Sequence, residues 1–328
     1  MKRLMLIAAM TLTCMTGMGQ VTYFDTNNFF MNFFTDTGYS NYGWRFEPLK
    51  TDLERGNLKG DVEKVVTNIT DKTGRGFGEH FTDTTYYNSN GNIEKIVALK
   101  KDEFDPSKKF RPDTWFYHYD SKGKLEDYVK YSEVEMMNGR DLRKEIHTAV
   151  RDNQGNIIQE VTRNYSFGKN KEWEEFGTGD NVTWAFGYDG SGNLVSGKGP
   201  LNLNLTYQNG KLTKMQDGSF KPVTYIYDAQ GRLTSFKYFM IDGMDEEEYC
   251  EMSSTLTYNE RNDIIKGVKT NWDCNSKWQR RRMNFSHTYT FTYTYDEKGN
   301  WTKAVVYSKA GKDPRTLAFT ITRAITYR

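Results

Sequence analysis

The stretch Tyr225-Ile226-Tyr227-Asp228-Ala229-Gln230-Gly231-Arg232-Leu233 decides how the rest of the chain is read. Two aromatics two residues apart share one face of a strand, because side chains alternate across the pleat. Asp opens a type I turn, its side chain bonding backbone two residues on. Gly three positions later takes the left-handed conformation that closes a bulged hairpin. Leu233 then lands opposite Tyr227 on the same face, as a cross-strand pair. Nine residues thus specify one hairpin with one apolar patch.

The pattern recurs along the chain. Asn88 to Ile93, Asp120 with Gly123 and Leu125, Asp152 with Gly155 and Ile157, and Asp189 with Gly192 and Leu194 repeat it. So do Asp228 with Gly231 and Asp296 with Gly299 and Trp301, while Asn262 stands at the glycine position after Asn259. Asn tolerates that backbone best after Gly. Tyr207 to Leu212 is a shortened form with an Asn-Gly loop. Turn glycines 91, 123 and 155 lie 32 residues apart. A second set of turn dipeptides, Asn138-Gly139, Asp217-Gly218, Asp242-Gly243 and Ala310-Gly311, sends the chain back. The chain therefore reads as all-β, an antiparallel meander of roughly sixteen to eighteen strands in a rolled or open sheet.

Residues 1–19 have the form of a cleaved export signal: Lys2 and Arg3, a short apolar run, then Gly17-Met18-Gly19. Residues 20–60 do not repeat, and the nine aromatics between Phe24 and Phe46, with Tyr23 before them, suit an N-terminal cap over the first hairpin. Residues 61–328 form the hairpin domain. The chain has 45 basic and 43 acidic residues, and without Lys2 and Arg3 the two balance. That balance argues against nucleic acid as a partner. No apolar run after the leader is long enough for a membrane helix, so the chain reads as not membrane-spanning. Export places it in the periplasm, on the cell surface or outside the cell.

Cys250 and Cys274 are a disulfide candidate in an oxidising compartment. Pairing Tyr258 with Ile264 sets the two as diagonal neighbours, whose Cβ atoms sit about 7 Å apart. A bridge needs a bulge that shifts the register.

The 225–233 stretch resembles a YD (Rhs-type) repeat, and Tyr293 to Trp301 is similar. The resemblance covers roughly residues 60–328 and implies hairpins spiralling into a shell. It also implies a cell-surface or wall-associated role and binding to polysaccharide or a cell-wall component. Spacings here exceed that family's, and Arg151 stands where the motif has Tyr.

The resemblance carries no catalytic residue, and the residues supply none. The four histidines, His80, His118, His147 and His287, lack metal-ligand spacing, and no phosphate loop or nucleophile motif is present, so neither cofactor nor metal is expected. Trp115, Trp173 and Trp278 are the candidate sugar platforms. Arg280, Arg281 and Arg282 are a possible anion site, although Asp245 to Glu248 on the preceding strand favours cross-strand pairing. The main expectation is an exported, non-catalytic glycan-binding or scaffold protein. The alternatives are a hydrolase using paired carboxylates such as Glu174 and Glu175, or an outer-membrane β-barrel, disfavoured because charges interrupt both strand faces.

Overall fold

The computed structural model describes residues 51–72, 81–99, 111–136, 139–176, 183–192, 194–199, 202–208, 211–217, 222–241, 249–274 and 285–328. A one-turn helix, α1 (Asp52–Arg55), precedes nineteen strands. The first ten are β1 (Val62–Asp71), β2 (Phe81–Tyr87), β3 (Ile93–Ala98), β4 (Asp113–Tyr119), β5 (Leu125–Met136), β6 (Gly139–Arg151), β7 (Ile157–Phe167), β8 (Trp173–Glu175), β9 (Thr183–Tyr188) and β10 (Leu194–Lys198). The rest are β11 (Asn202–Gln208), β12 (Lys211–Asp217), β13 (Val223–Tyr227), β14 (Leu233–Ile241), β15 (Tyr249–Tyr258), β16 (Ile264–Cys274), β17 (Phe285–Tyr295), β18 (Trp301–Ala310) and β19 (Thr316–Tyr327).

Sequential strands pair antiparallel, as the motif requires. The motif turns form with the expected bonds: Asp120 accepts from Lys122 N and Lys124 N through Oδ1, and Gly123 N donates to Asp120 O. Gly123 has φ 76° and Asn262 φ 67°, the left-handed region that the pattern demands.

The sheet does not stay open. β19 returns onto β1 through nine residue pairs, from Val62 opposite Tyr327 to Asp71 opposite Phe319. Between β7 and β10 the ring runs through β9, which pairs with β7 at Gln159–Val161, while β8 extends the far end of the same edge at Tyr165–Phe167. Eighteen strands therefore close into a barrel and β8 hangs as a flap. The open sheet and the YD-type shell are both corrected by this closure. The reason is physical: an open end would expose unpaired backbone on β1 and β19, and pairing the two ends removes both edges.

Motif aromatics and aliphatics face inward. Ile96, Trp115, Phe236, Val306 and Ile321 are each 2 % exposed or less. The outward positions alternate with them, as on Thr288, Thr290, Thr292 and Thr294 of β17, which bracket inward Tyr289, Phe291 and Tyr293. No helix among the described residues is long and apolar enough to cross a membrane.

At the motif end each hairpin is tied to the one before it. At three turns the residue just ahead reaches the carbonyl just after the preceding turn: Tyr119 Oη to Ile93 O at 2.6 Å, Tyr188 Oη to Ile157 O at 2.7 Å, Tyr258 Oη to Leu233 O at 2.8 Å. At the Asp296 turn Tyr293 makes that bond to Ile264 O, and Tyr295 donates to Asp263. Arg151, the departure from the motif, does the same work. Its Nη2 donates to Leu125 O at 2.6 Å and its Nη1 to its own turn at Gly155 O. At the closure Tyr327 Oη donates to Asp296 and accepts from Asn300, while Arg328 donates to Asp61 and to Tyr87 O.

Residues 51–61 cross this same end. Thr51 and Glu54 form a reciprocal capping box on α1, Leu53 N donates to Gly91 O, and Asp52 accepts from Ile93 N. Asn57 donates to Arg261 O, and Asn300 bonds Lys59 through both backbone groups. The rest of the expected cap, residues 20–50, lies outside the described residues, as does the leader.

The backbone brings Cys250 directly opposite Cys274, because two bulges, at Thr257/Tyr258 and at Cys250/Glu251, each advance the register by one residue and together remove the two-residue offset of the expected diagonal. Alkylation without reductant followed by mass spectrometry should leave both thiols unlabelled; two labelled cysteines would reject the bridge. For the latch, Arg151→Ala should lower unfolding stability by about 1–3 kcal/mol, the range for a hydrogen-bonded charged group. Arg151→Tyr should recover most of that loss. Urea midpoints of the three proteins measure both effects.

Candidate functional site

Ionisable groups gather inside the barrel on β5, β6 and β7. Register sets Tyr128, His147 and Thr162 side by side, and Lys130 beside Glu145. His147 is 3 % exposed and stacks on Tyr128 with ring centroids 4.2 Å apart. Its Nδ1 meets Glu160 Oε1 at 2.9 Å and Thr162 Oγ1 at 3.1 Å, and its Nε2 faces Glu145 Oε2 at 3.6 Å. Lys130 Nζ lies 3.3 Å from Glu145 Oε1. Two cations thus balance two carboxylates.

Burial alone would depress the His147 pKa, but hydrogen bonds to Glu145 and Glu160 outweigh it and hold the ring above its ordinary 6.5. Burial would raise Glu145, yet His147 and Lys130 pull it down to about 2. A carboxylate on each side of the imidazole favours the charged ring. With both charges matched and the ring sealed, the cluster has the make-up of a buried ion-pair network. Among the described residues no group of three metal-ligating side chains forms.

The outer wall is uneven around its circumference. From β11 to β17 the outward positions are mostly polar, among them Asn204, Thr206, Lys214, Thr224, Lys237, Thr255, Lys266 and the threonines of β17, with Ile226 and Val268 as apolar exceptions. From β3 to β8 apolar groups face out instead, among them Val97, Phe116, Val129, Tyr131, Ile146 and Phe167. Phe116, Tyr131, Val150 and Phe167 are all more than a third exposed. Rings touch across strands: Phe116 meets Tyr131 edge-on at 6.1 Å, and Trp173 packs on Phe167 at 5.3 Å and on Tyr131 at 5.9 Å.

Lysines sit among these rings. Lys95 Nζ lies over Tyr86 at 5.6 Å and Phe116 at 5.3 Å, its neighbours on β2 and β4. Lys144 Nζ lies over Tyr165 at 4.2 Å and Trp173 at 5.2 Å. Among the described residues neither lysine has a carboxylate within ion-pair reach.

The sequence candidates fare differently. Trp173 is on this outer surface, half-exposed. Trp115 is 2 % exposed and faces inward, so it is core and not a sugar platform. Strand parity explains this: Trp115 is two residues from Tyr117 and four from Tyr119, so it shares their inward face. That count was available from the motif. Trp301 is buried at the aliphatic position, with the Arg323 guanidinium 3.6 Å above its ring. Trp278, Arg280, Arg281, Arg282 and Asp245 to Glu248 lie outside the described residues, and Glu174 and Glu175 are exposed on β8. The glycan-binding or scaffold reading is overturned: the described strands close into a barrel in place of a repeat sheet, and one of its three tryptophans is sealed in the core.

No family model matches the chain, and no curated protein does. Among solved structures, a porin-like protein from Bacteroides uniformis is similar over 82 % of this chain and 99 % of its own, at 12 % identity and a TM-score of 0.36. A likeness at that level does not bear on what the chain does.

The interior cluster makes a pH-dependent contribution to stability. The raised His147 pKa means that its contribution is complete below 6.5 and is lost as pH rises through the folded value. Melting temperature should therefore fall from pH 6.5 upward in the native protein. His147→Gln should flatten that slope and lower stability at pH 6; an unchanged slope would reject the assignment.

Proposed function

We propose that the chain is a non-catalytic β-barrel of the cell envelope that rests against a membrane through the β3–β8 sector of its outer wall. The observation that carries the reading is the uneven outer wall of a closed ring: apolar and aromatic groups gather over β3 to β8, while elsewhere polar positions prevail with scattered apolar ones, Ile226 and Leu317 among them. Exposed apolar surface concentrated on one face marks a contact surface. Residues 1–19, read as a leader, would supply export to the envelope.

The same wall argues for seating over spanning. A transmembrane barrel needs an outward apolar band around its whole circumference. Lys64, Lys214, Lys237, Lys266 and Lys303 face outward elsewhere on the ring. Within a bilayer each would carry a cost that grows with its depth. Inward, the described buried apolar side chains outnumber buried polar ones such as Asp83, Asp113, Lys130, His147, Glu160 and Arg323, unlike the polar lining of a water-filled pore.

Fractionation of cells making the full chain tests this. The protein should sediment with membranes and be released by an alkaline carbonate wash. Recovery in the soluble fraction before the wash, or retention in the pellet after it, would each overturn the reading.

A further inference from the structure

We infer that Lys95 and Lys144 are phosphate-binding cations of this seat and that the surface it recognises is a bilayer carrying anionic phospholipid headgroups. The inference rests on the membrane reading above. Its separate support is the way these two cations are held. Each ammonium lies over two aromatic rings contributed by neighbouring strands, Tyr86 and Phe116 for Lys95, Tyr165 and Trp173 for Lys144. A ring face attracts the cation and narrows its positions without neutralising its charge. Among the described residues no carboxylate completes either site.

The contrast with other cations of the molecule is informative. Lys130, Arg143, Arg232 and Arg328 each meet a carboxylate within 3.4 Å. On the apolar sector Asp127 is engaged by His118, and Glu133 by Arg140 and the Arg111 backbone, while Glu175 faces out across from Tyr165 on β8. Register links the two lysine sites. Tyr86, Lys95 and Phe116 are direct cross-strand partners, and so are Tyr131, Lys144 and Tyr165. The Phe116–Tyr131 edge contact joins the triplets into one row across six strands. Arg163 faces out two residues from Tyr165 and adds a third positive charge. Tyr, Trp and Lys are the side chains that settle at a membrane–water boundary, with rings at headgroup depth and ammonium groups among phosphates. The aliphatics of the sector, Val97, Val129 and Ile146, supply the apolar depth beneath.

Co-sedimentation of the full-length protein with vesicles tests this, using phosphatidylcholine alone and phosphatidylcholine mixed with phosphatidylglycerol. Wild type should prefer the mixed vesicles, and added salt should erode the preference. Lys95→Gln with Lys144→Gln should bind mixed vesicles roughly thirtyfold more weakly, the order expected for two lysines at an anionic surface, with an unchanged melting temperature. Lys95→Arg with Lys144→Arg should bind like wild type. Equal binding of both vesicle types, or a glutamine pair that binds mixed vesicles as wild type does, would overturn the phosphate assignment and leave the membrane seat standing. No binding to either vesicle would overturn the seat and the assignment together.

Discussion

Everything in this molecule depends on the return of β19 to β1. Each hairpin carries the motif's apolar patch on one face, and a hairpin alone cannot bury it. Bending eighteen strands into a ring turns all those faces to one interior. The closing seam has no turn of its own, so side chains do what a turn does elsewhere. Arg328 reaches Asp61 and Tyr87 O, and Tyr327 is held by Asp296 and Asn300. The latch from hairpin to hairpin uses the same residue position at Tyr119, Arg151, Tyr188 and Tyr258. The motif thus specifies the join between its copies as well as the copies themselves.

Local rules made the hairpins legible. Period-two aromatics, an Asx turn and a left-handed glycine all act within nine residues, and the turns appear where those rules put them. Closure was not legible, because β1 and β19 lie at opposite ends of the meander and no local signal links them. Nor was the β8 flap, which carries no copy of the motif. Arg151 looked like a broken repeat. Its guanidinium spans the distance that a tyrosine hydroxyl spans elsewhere, so the break is chemical and the geometry is kept. The cysteines show the converse: the turn bulge and a second one, invisible in composition, together move them from diagonal to opposed.

The outer row was hidden for a different reason. Lys95, Phe116, Tyr131 and Lys144 are ordinary residues on four separate strands, and only register makes them neighbours. Composition drew attention to tryptophan, which divides by parity: Trp115 and Trp184 count inward from their motif tyrosines and are buried, whereas Trp173 belongs to the flap and faces out. A residue's distance from its turn carried more information than its identity.

The inside and the outside of the barrel therefore answer different questions. The buried ionic group on β5 to β7 has two candidate acids and a histidine, the chemistry that a hydrolase would use, but its charges are already matched and its ring is sealed from solvent. Breaking such a set to reach a substrate would strand a buried charge, at about 3–5 kcal/mol. The outer row has the opposite balance, with exposed rings and cations whose partners are not supplied by the described chain. Unsatisfied chemistry is what a surface offers to another surface. The asymmetry of the wall turns that offer to one side, so the contact is with something flat and extended that touches several strands at once, which is why the membrane reading follows from the outer face and a catalytic one does not follow from the inner.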